Sequence, residues 1–363
     1  MPDPDLRETP KNPANPLPYT VRDKSILLPL YKRLFIGTTV PLLPRALSPN
    51  TITHAGHIAN ALGLAVLAYY TQFALAVSGP TRTVAFLFAA AMINFYNWCD
   101  NADGAHARHT GQCSAMGELL DHGLDLFNAT YIAAIAGIAI GAPPLALLAM
   151  VLVVVAAAAV VYWEQAETGT FQLPWLNQIE SVVAVTALLA VAAVSGPEVF
   201  TAHVGPVSLR ALLVAALMGN ALLGVVSSVL RVISRRGPLL PFAQQVAFGV
   251  AIYACAATGA LSPIAAGLVG VGGFVFLGLR HLALRLQKRA PRFELGLVCV
   301  TALAFAYASA HASHRFGAAV SATPLSAMLA AAAFGSFAFW GTTNACMSAR
   351  RVAVLDSRAK IEG

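Results

Sequence analysis

Between residues 100 and 125 the chain reads DNADGAHARHTGQCSAMGELLDHGLD, which holds four aspartates, one glutamate and three histidines. Acids at this density repel one another, and each needs a cation, a donor or a proton to stay there. Read as a helix, Asp100, Asp103, Gly104, Ala107 and Gly111 fall at i, i+3, i+4, i+7 and i+11, which is one stripe. The stripe begins with two carboxylates and continues with residues that have almost no side chain. A flat or bulky group can therefore lie against the backbone. In the following HTGQCS, Gly111 can end this helix and Ser114 can cap the next. On that second helix Gly117, Glu118, Asp121, His122 and Asp125 form another stripe, with Gly117 permitting close approach and the acids projecting between the helices. Oxygen ligands in this number suit Mg²⁺, Mn²⁺ or Ca²⁺ rather than zinc. Four carboxylates suffice for two ions, and a two-metal clamp stabilises in-line displacement at phosphorus. Arg108, one residue off the stripe, is placed to pair with a phosphate. The residues thus predict a Mg²⁺-dependent site for a phosphorylated substrate.

What must position these groups is a membrane bundle. Of the 363 residues 58% are apolar and 11% are charged, and the mean hydropathy is +0.69. A soluble domain carries about a quarter charged residues. Ten apolar segments are long enough to cross a bilayer: 57–78, 81–99, 116–141, 144–163, 179–196, 209–231, 240–261, 263–280, 293–311 and 322–346. They are Ala- and Leu-rich without alternation, so the expected fold is an all-α integral membrane protein. If the N-terminus is cytoplasmic, every Lys and Arg falls on the cytoplasmic side except Arg82, Arg210 and Arg315. This distribution predicts both termini and the acid cluster on the cytoplasmic face. The formal charge of +7 then reflects orientation, and no nucleic-acid partner is expected.

Residues 1–23 are polar and proline-rich, which predicts a disordered tail rather than a signal peptide. Residues 24–50 are apolar but broken by prolines and basic residues, and read as an interfacial amphipathic helix. The five cysteines show no CxxC pair and read as reduced core residues. Glu164, Glu167 and Glu180 are expected in solvated positions at span ends, with Glu180 a candidate for the entrance to the site.

Written as D-x2-D-G-x2-A-R-x8-G-x3-D-x3-D, the run from Asp100 to Asp125 resembles the signature of the CDP-alcohol phosphotransferases at every fixed position. That resemblance implies transfer of a phosphoalcohol from a CDP-alcohol to an acceptor hydroxyl, with release of CMP. It implies metal ligation by Asp100, Asp103, Asp121 and Asp125, and a cradle for the CDP moiety made of Asp100, Gly104, Ala107 and Arg108. GELLDHGLD looks like the corresponding stretch of the choline and ethanolamine phosphotransferase branch, which implies diacylglycerol as acceptor. In that branch Glu118 and His122 match the pair that deprotonates the acceptor, with Asp125 the other candidate base. LSPNTITHAG, which contains Asn50, looks like the family's pre-span segment and adds Asn50 as a candidate donor contact. WEQAETGTFQLPWLNQIE at 163–180 is similar to a further segment of the branch. Ala105 and His109 stand where the eukaryotic branch usually has lysine and arginine.

The expected division is a tail at 1–23, the interfacial helix at 24–50, a six-span catalytic bundle at 51–236 and a four-span bundle with a cytoplasmic tail at 237–363. Two Mg²⁺ ions are expected, with Mn²⁺ an alternative, and membrane lipids and a second copy as partners, since family members are often homodimers. A different acceptor, inositol phosphate or glycerol phosphate, would keep the same chemistry. Intramembrane prenyltransferases also use aspartates and Mg²⁺, but need neither the small-residue stripe nor Arg108. A cation transporter would use the acids as ion ligands without nucleotide.

Overall fold

The computed structural model describes residues 20–73, 79–174, 176–287, 289, 291 and 293–312. Strand β1 (Thr20–Asp23) leads into α1 (Leu28–Tyr31), a π-helical turn (Lys32–Ile36), α2 (Gly37–Thr39) and a 3-10 turn (Val40–Leu42). The long helices α3 (Pro49–Ala68), α4 (Pro80–Thr110), α5 (Ala115–Ala139) and α6 (Pro144–Thr168) follow. Strand β2 (Thr170–Leu173) precedes α7 (Gln178–Ser195), and a short β3 (His203–Val204) and β4 (Val207–Ser208) hairpin precedes α8 (Leu209–Ser234). The described chain closes with α9 (Leu240–Ala257), α10 (Pro263–Leu286) and α11 (Leu295–Ala312). The protein is an all-α membrane protein.

Nine of the ten apolar segments expected from sequence are these long helices, and the tenth, 322–346, lies outside the described residues. By length and composition, five described helices are apolar enough to cross a membrane: α6, α7, α8, α9 and α10. Helices α3, α4 and α5 fall short of that apolarity because their ends carry the polar residues of the acid cluster and its surroundings.

The N-terminal region departs from expectation in two ways. The interfacial helix is broken where Pro41 and Pro44 interrupt the backbone hydrogen-bond ladder, and Asn50 lies instead in the first turn of α3. Residues 20–23, expected in the tail, form β1 and pair in parallel with β2, Thr20 opposite Thr170 and Asp23 opposite Leu173. One carboxylate secures this clasp. Glu180 closes the α7 capping box with Asn177, accepts from Ser25 Oγ at 2.7 Å, and accepts from the Leu27 N–H at 2.9 Å. A cap of this kind contributes about 1 kcal/mol. Glu180 is thus an anchor, which its reading as a solvated residue had not foreseen.

Helix α5 is the centre of the bundle. Its Leu126 and Ala133 pack into a core shared with α6, α9 and α10 that includes Val155, Phe248 and Phe274. Its Ile132 and Ile135 pack into a second core with Leu67, Phe86, Ile93 and Leu189 from α3, α4 and α7. Helices α9 and α10 therefore share one core with α5 and α6. Lipid tails are as apolar as leucine, so close van der Waals contact holds such helices together. Helix α3 shows how close: a Cβ on Gly56 would lie 2.6 Å from Cys99 Cβ of α4, and one on Gly63 would lie 2.9 Å from Met92 Cβ. Helix α8, by contrast, buries only 6% of its most apolar stretch, as befits a lipid-facing element. Cys99, Cys113, Cys255 and Cys299 are free thiols.

Candidate active site

The break predicted between the two acid-bearing helices is present. Gly111 ends α4 with φ of 74°, a left-handed conformation that glycine adopts without strain, and its N–H bonds the Ala107 carbonyl. Ser114 then caps α5 by accepting from the Gly117 N–H at 3.0 Å. This turn returns the chain so that α5 packs against α3 and α6, and Asp100 of α4 meets Asp121 and Asp125 of α5.

One carboxylate oxygen from each of Asp100, Asp121 and Asp125 lies within 4.8 Å of the other two. That spacing and an all-oxygen donor set fit a hard divalent cation. Asp103 stands apart from this group. It accepts from the Thr53 hydroxyl of α3 and from the Gly104 N–H, and it lines a cavity that Asp121 also borders. The other three are steadied by neighbours. Tyr96 lies one turn before Asp100, with its hydroxyl 3.3 Å from Asp125 Oδ1 and 3.5 Å from Asp100 Oδ1. Gln178, in the first turn of α7, donates from Nε2 to Asp100 Oδ2 at 2.8 Å.

Two cavities meet at this cluster. The larger, about 500 Å³, has Asp100, Asp121, His122 and Asp125 at one end and apolar walls from Ile132, Ala136, Met150, Val154 and Leu217. The smaller, about 180 Å³, is lined by Asn50, Thr53, Asp103, Gly104, Ala107, Arg108 and Glu118. Asp121 and His122 line both. The small-residue stripe is therefore a cavity wall, and the Arg108 guanidinium folds over it, with Nη1 3.3 Å from where a Cβ on Gly104 would stand. Gly117 is a point of close approach, since a Cβ there would be 3.3 Å from Asn50 Oδ1.

His122 is 8% exposed, and its Nδ1 is 4.0 Å from Asp125 Oδ2. Its ring packs against Phe171 of β2 at 5.0 Å between centroids, and Tyr162 donates to its carbonyl at 2.9 Å. The β1–β2 clasp thus reaches the site through Phe171. Glu118 forms an ion pair with Arg285 of α10. The neighbouring histidine His106 is structural, buried with Nε2 3.0 Å from the Leu47 carbonyl.

Asn50, Asp100, Asp103, Gly104, Ala107, Arg108, Glu118, Asp121, His122 and Asp125 all fall on the acid cluster or on one of the two cavities, whereas Glu180, the entrance candidate, lines neither. The same reasoning did not single out Tyr96, Thr53, Phe171, Gln178 or Arg285. Of these only Tyr96 carried a local signal, its i, i+4 spacing to Asp100. The others reach the site from elements distant in sequence. Glu164, expected at a solvated span end, is instead 1% exposed and paired with Arg231, because α8 brings that guanidinium against α6.

Residues 49–226 match the model of the CDP-alcohol phosphatidyltransferase family. Those residues are thus similar to a CDP-alcohol phosphatidyltransferase domain. The CDP-alcohol phosphatidyltransferase segment contains the whole signature from Asp100 to Asp125, and α9, α10 and α11 lie beyond it. The chain is 28% identical over 184 residues to cholinephosphotransferase 1 of Xenopus laevis, covering 50% of this chain and 45% of the relative. It is 29% identical over 188 residues to ethanolaminephosphotransferase 1 of Mus musculus, covering 50% and 47%. It is 30% identical over 199 residues to cholinephosphotransferase 1 of Gallus gallus, covering 53% and 57%. The chain spans about half the length of these curated relatives.

Proposed function

We propose that this protein transfers a phosphoalcohol, phosphocholine or phosphoethanolamine, from a CDP-alcohol to the hydroxyl of a diacylglycerol, with release of CMP. The observation that carries the reading is the pair of cavities, one small and polar, one large and apolar, that share Asp121 and His122. The headgroups follow from the names of the relatives, and the acid cluster and its bundle support the site on the cytoplasmic face through the charge asymmetry of the chain.

The smaller cavity suits the donor. Arg108 supplies a fixed cation for the diphosphate, and Gly104 and Ala107 leave room for it against α4. Asn50 offers an amide on the same wall. The larger cavity suits an acceptor that brings acyl chains from the bilayer, since its walls are apolar and its acidic end points to the donor. Asp100, Asp121 and Asp125, with Asp103 from the donor side, would hold two Mg²⁺ ions, or Mn²⁺. When bound, these ions neutralise the diphosphate and the departing CMP.

His122, at the junction, takes the acceptor's hydroxyl proton on Nε2 while Asp125 and Glu118 stabilise the imidazolium. The acceptor oxygen forms a bond to the β-phosphorus as the bond from that phosphorus to the bridging oxygen breaks. CMP leaves with the electron pair, and the proton passes from His122 to solvent. Membrane lipids surround the bundle, and a homodimer is the expected assembly.

The test is CMP release by the purified protein with Mg²⁺, across a panel of CDP-alcohols offered with diacylglycerol, inositol phosphate or glycerol phosphate. Release is expected with CDP-choline or CDP-ethanolamine only when diacylglycerol is present. Release only with a water-soluble phosphoalcohol overturns the acceptor, and none with any donor overturns the reaction.

A further inference from the structure

The matched family segment ends before α10, and nothing in the signature motif concerns Arg285. Yet Arg285 reaches the site. It stands in the last turn of α10 and forms an ion pair with Glu118, in the first turn of α5. The two side chains are only 9% and 12% exposed. Each is also favoured where it stands, the carboxylate at a helix N-terminus and the guanidinium at a helix C-terminus.

The reach of Arg285 is fixed by packing below it. Helix α10 meets α5 through two glycine–leucine contacts with little room to slide. A Cβ on Gly123 would lie 3.0 Å from Leu279 Cδ2, and one on Gly278 would lie 2.6 Å from Leu126 Cδ1. The register of α10 on α5, and with it the guanidinium's position over Glu118, is thereby set. Glu118 in turn lines the donor cavity next to Asp121 and His122.

We propose that Arg285 is a positioning residue of the transfer reaction, holding the Glu118 carboxylate in the wall of the smaller cavity beside Asp121 and His122 and so tying the C-terminal helices to catalysis. The proposal rests on the transferase reading above. Without the guanidinium, Glu118 is a buried carboxylate among aspartates. Its side chain then turns away and leaves the wall of the smaller cavity that it shares with Asp121 and His122.

The experiment is a double-mutant cycle in the full chain, with Arg285→Gln, Glu118→Gln, both together, and Arg285→Lys, read as kcat and donor KM for CMP release. Arg285→Gln is expected to lower kcat about 10- to 100-fold, the usual scale for losing a partner that orients an active-site ligand. Donor KM should move by no more than about threefold, because the residues proposed to contact the donor remain. Arg285→Lys should recover part of the loss, and the double variant should be no slower than Glu118→Gln alone. Three results overturn the proposal: an unchanged kcat in Arg285→Gln, losses that multiply in the double variant, or a raised donor KM at constant kcat. Should Arg285→Gln fail to elute as folded protein, Arg285→Lys and the double variant, which buries no unpaired charge, decide the matter. A parent chain that releases no CMP overturns the transferase reading itself, whereas an active parent with a fully active Arg285→Gln overturns this inference alone.

Discussion

Asp121→Asn is expected to abolish turnover, by at least about a thousandfold in kcat, the upper end of what removing one charge-stabilising group from an active site costs. The position of the residue is the reason. Asp121 is one of the three carboxylates whose oxygens converge within 4.8 Å, and it lines both cavities. Asparagine keeps the shape but removes a charge and one of two hard ligand oxygens. The cluster then holds a divalent ion less tightly and places it less well between donor and acceptor. Two measurements check this. CMP release should fall to background, and the rise in melting temperature on adding Mg²⁺ should shrink relative to the parent, because at a fixed Mg²⁺ concentration a ligand stabilises the fold less as its dissociation constant rises. An Asp121→Asn variant with parental kcat would remove the aspartate cluster from the mechanism.

His122→Ala should separate binding from chemistry. The imidazole lies where the cavities join and is held there by Phe171 and by Asp125 Oδ2 at 4.0 Å from Nδ1. None of the residues proposed to bind the donor diphosphate depends on it. Loss of a general base costs about 10²- to 10⁴-fold in rate, so kcat is expected to fall within that range. The donor dissociation constant, measured by titration without acceptor, should stay within about threefold of the parent, since only transition-state interactions are removed. Full activity in His122→Ala would pass the role of base to Asp125, whose Oδ2 lies 4.0 Å from the imidazole Nδ1.

Much of this site was legible in one stretch of sequence, because local spacing decides which side chains share a helix face. The run from Asp100 to Asp125 placed two acid stripes on facing helices, and the glycine and serine between them marked the turn that joins them. The apolar segments likewise announced the bundle. Three features were not legible, each for a physical reason. Asp103 shares a stripe with Asp100, but Thr53 of α3 holds it in the wall of the smaller cavity, outside the group formed by the other three acids. Gln178 and Arg285 are separated from their partners by many residues, so no periodicity connects them to the site. Residues 20–23 looked like the end of a polar tail, and only pairing with Thr170–Leu173 makes them a strand. Glu164 shows the same limit: burial of a carboxylate cannot be foreseen until the helix bearing its arginine is in place.

The central claim is that two substrates meet across Asp121 and His122, one polar and one lipid, and that phosphorus passes between them. It is tested most directly by following the phosphorus. CDP-ethanolamine or CDP-choline labelled with ³²P at the β position would be incubated with purified protein, Mg²⁺ and vesicles containing diacylglycerol, and then extracted with organic solvent. Label recovered in the lipid phase, in amounts equal to the CMP formed and dependent on diacylglycerol, is the predicted result. Label that stays in the aqueous phase as free phosphoalcohol while CMP accumulates would contradict the account, because it would mean that water, not a lipid hydroxyl, reaches the phosphorus.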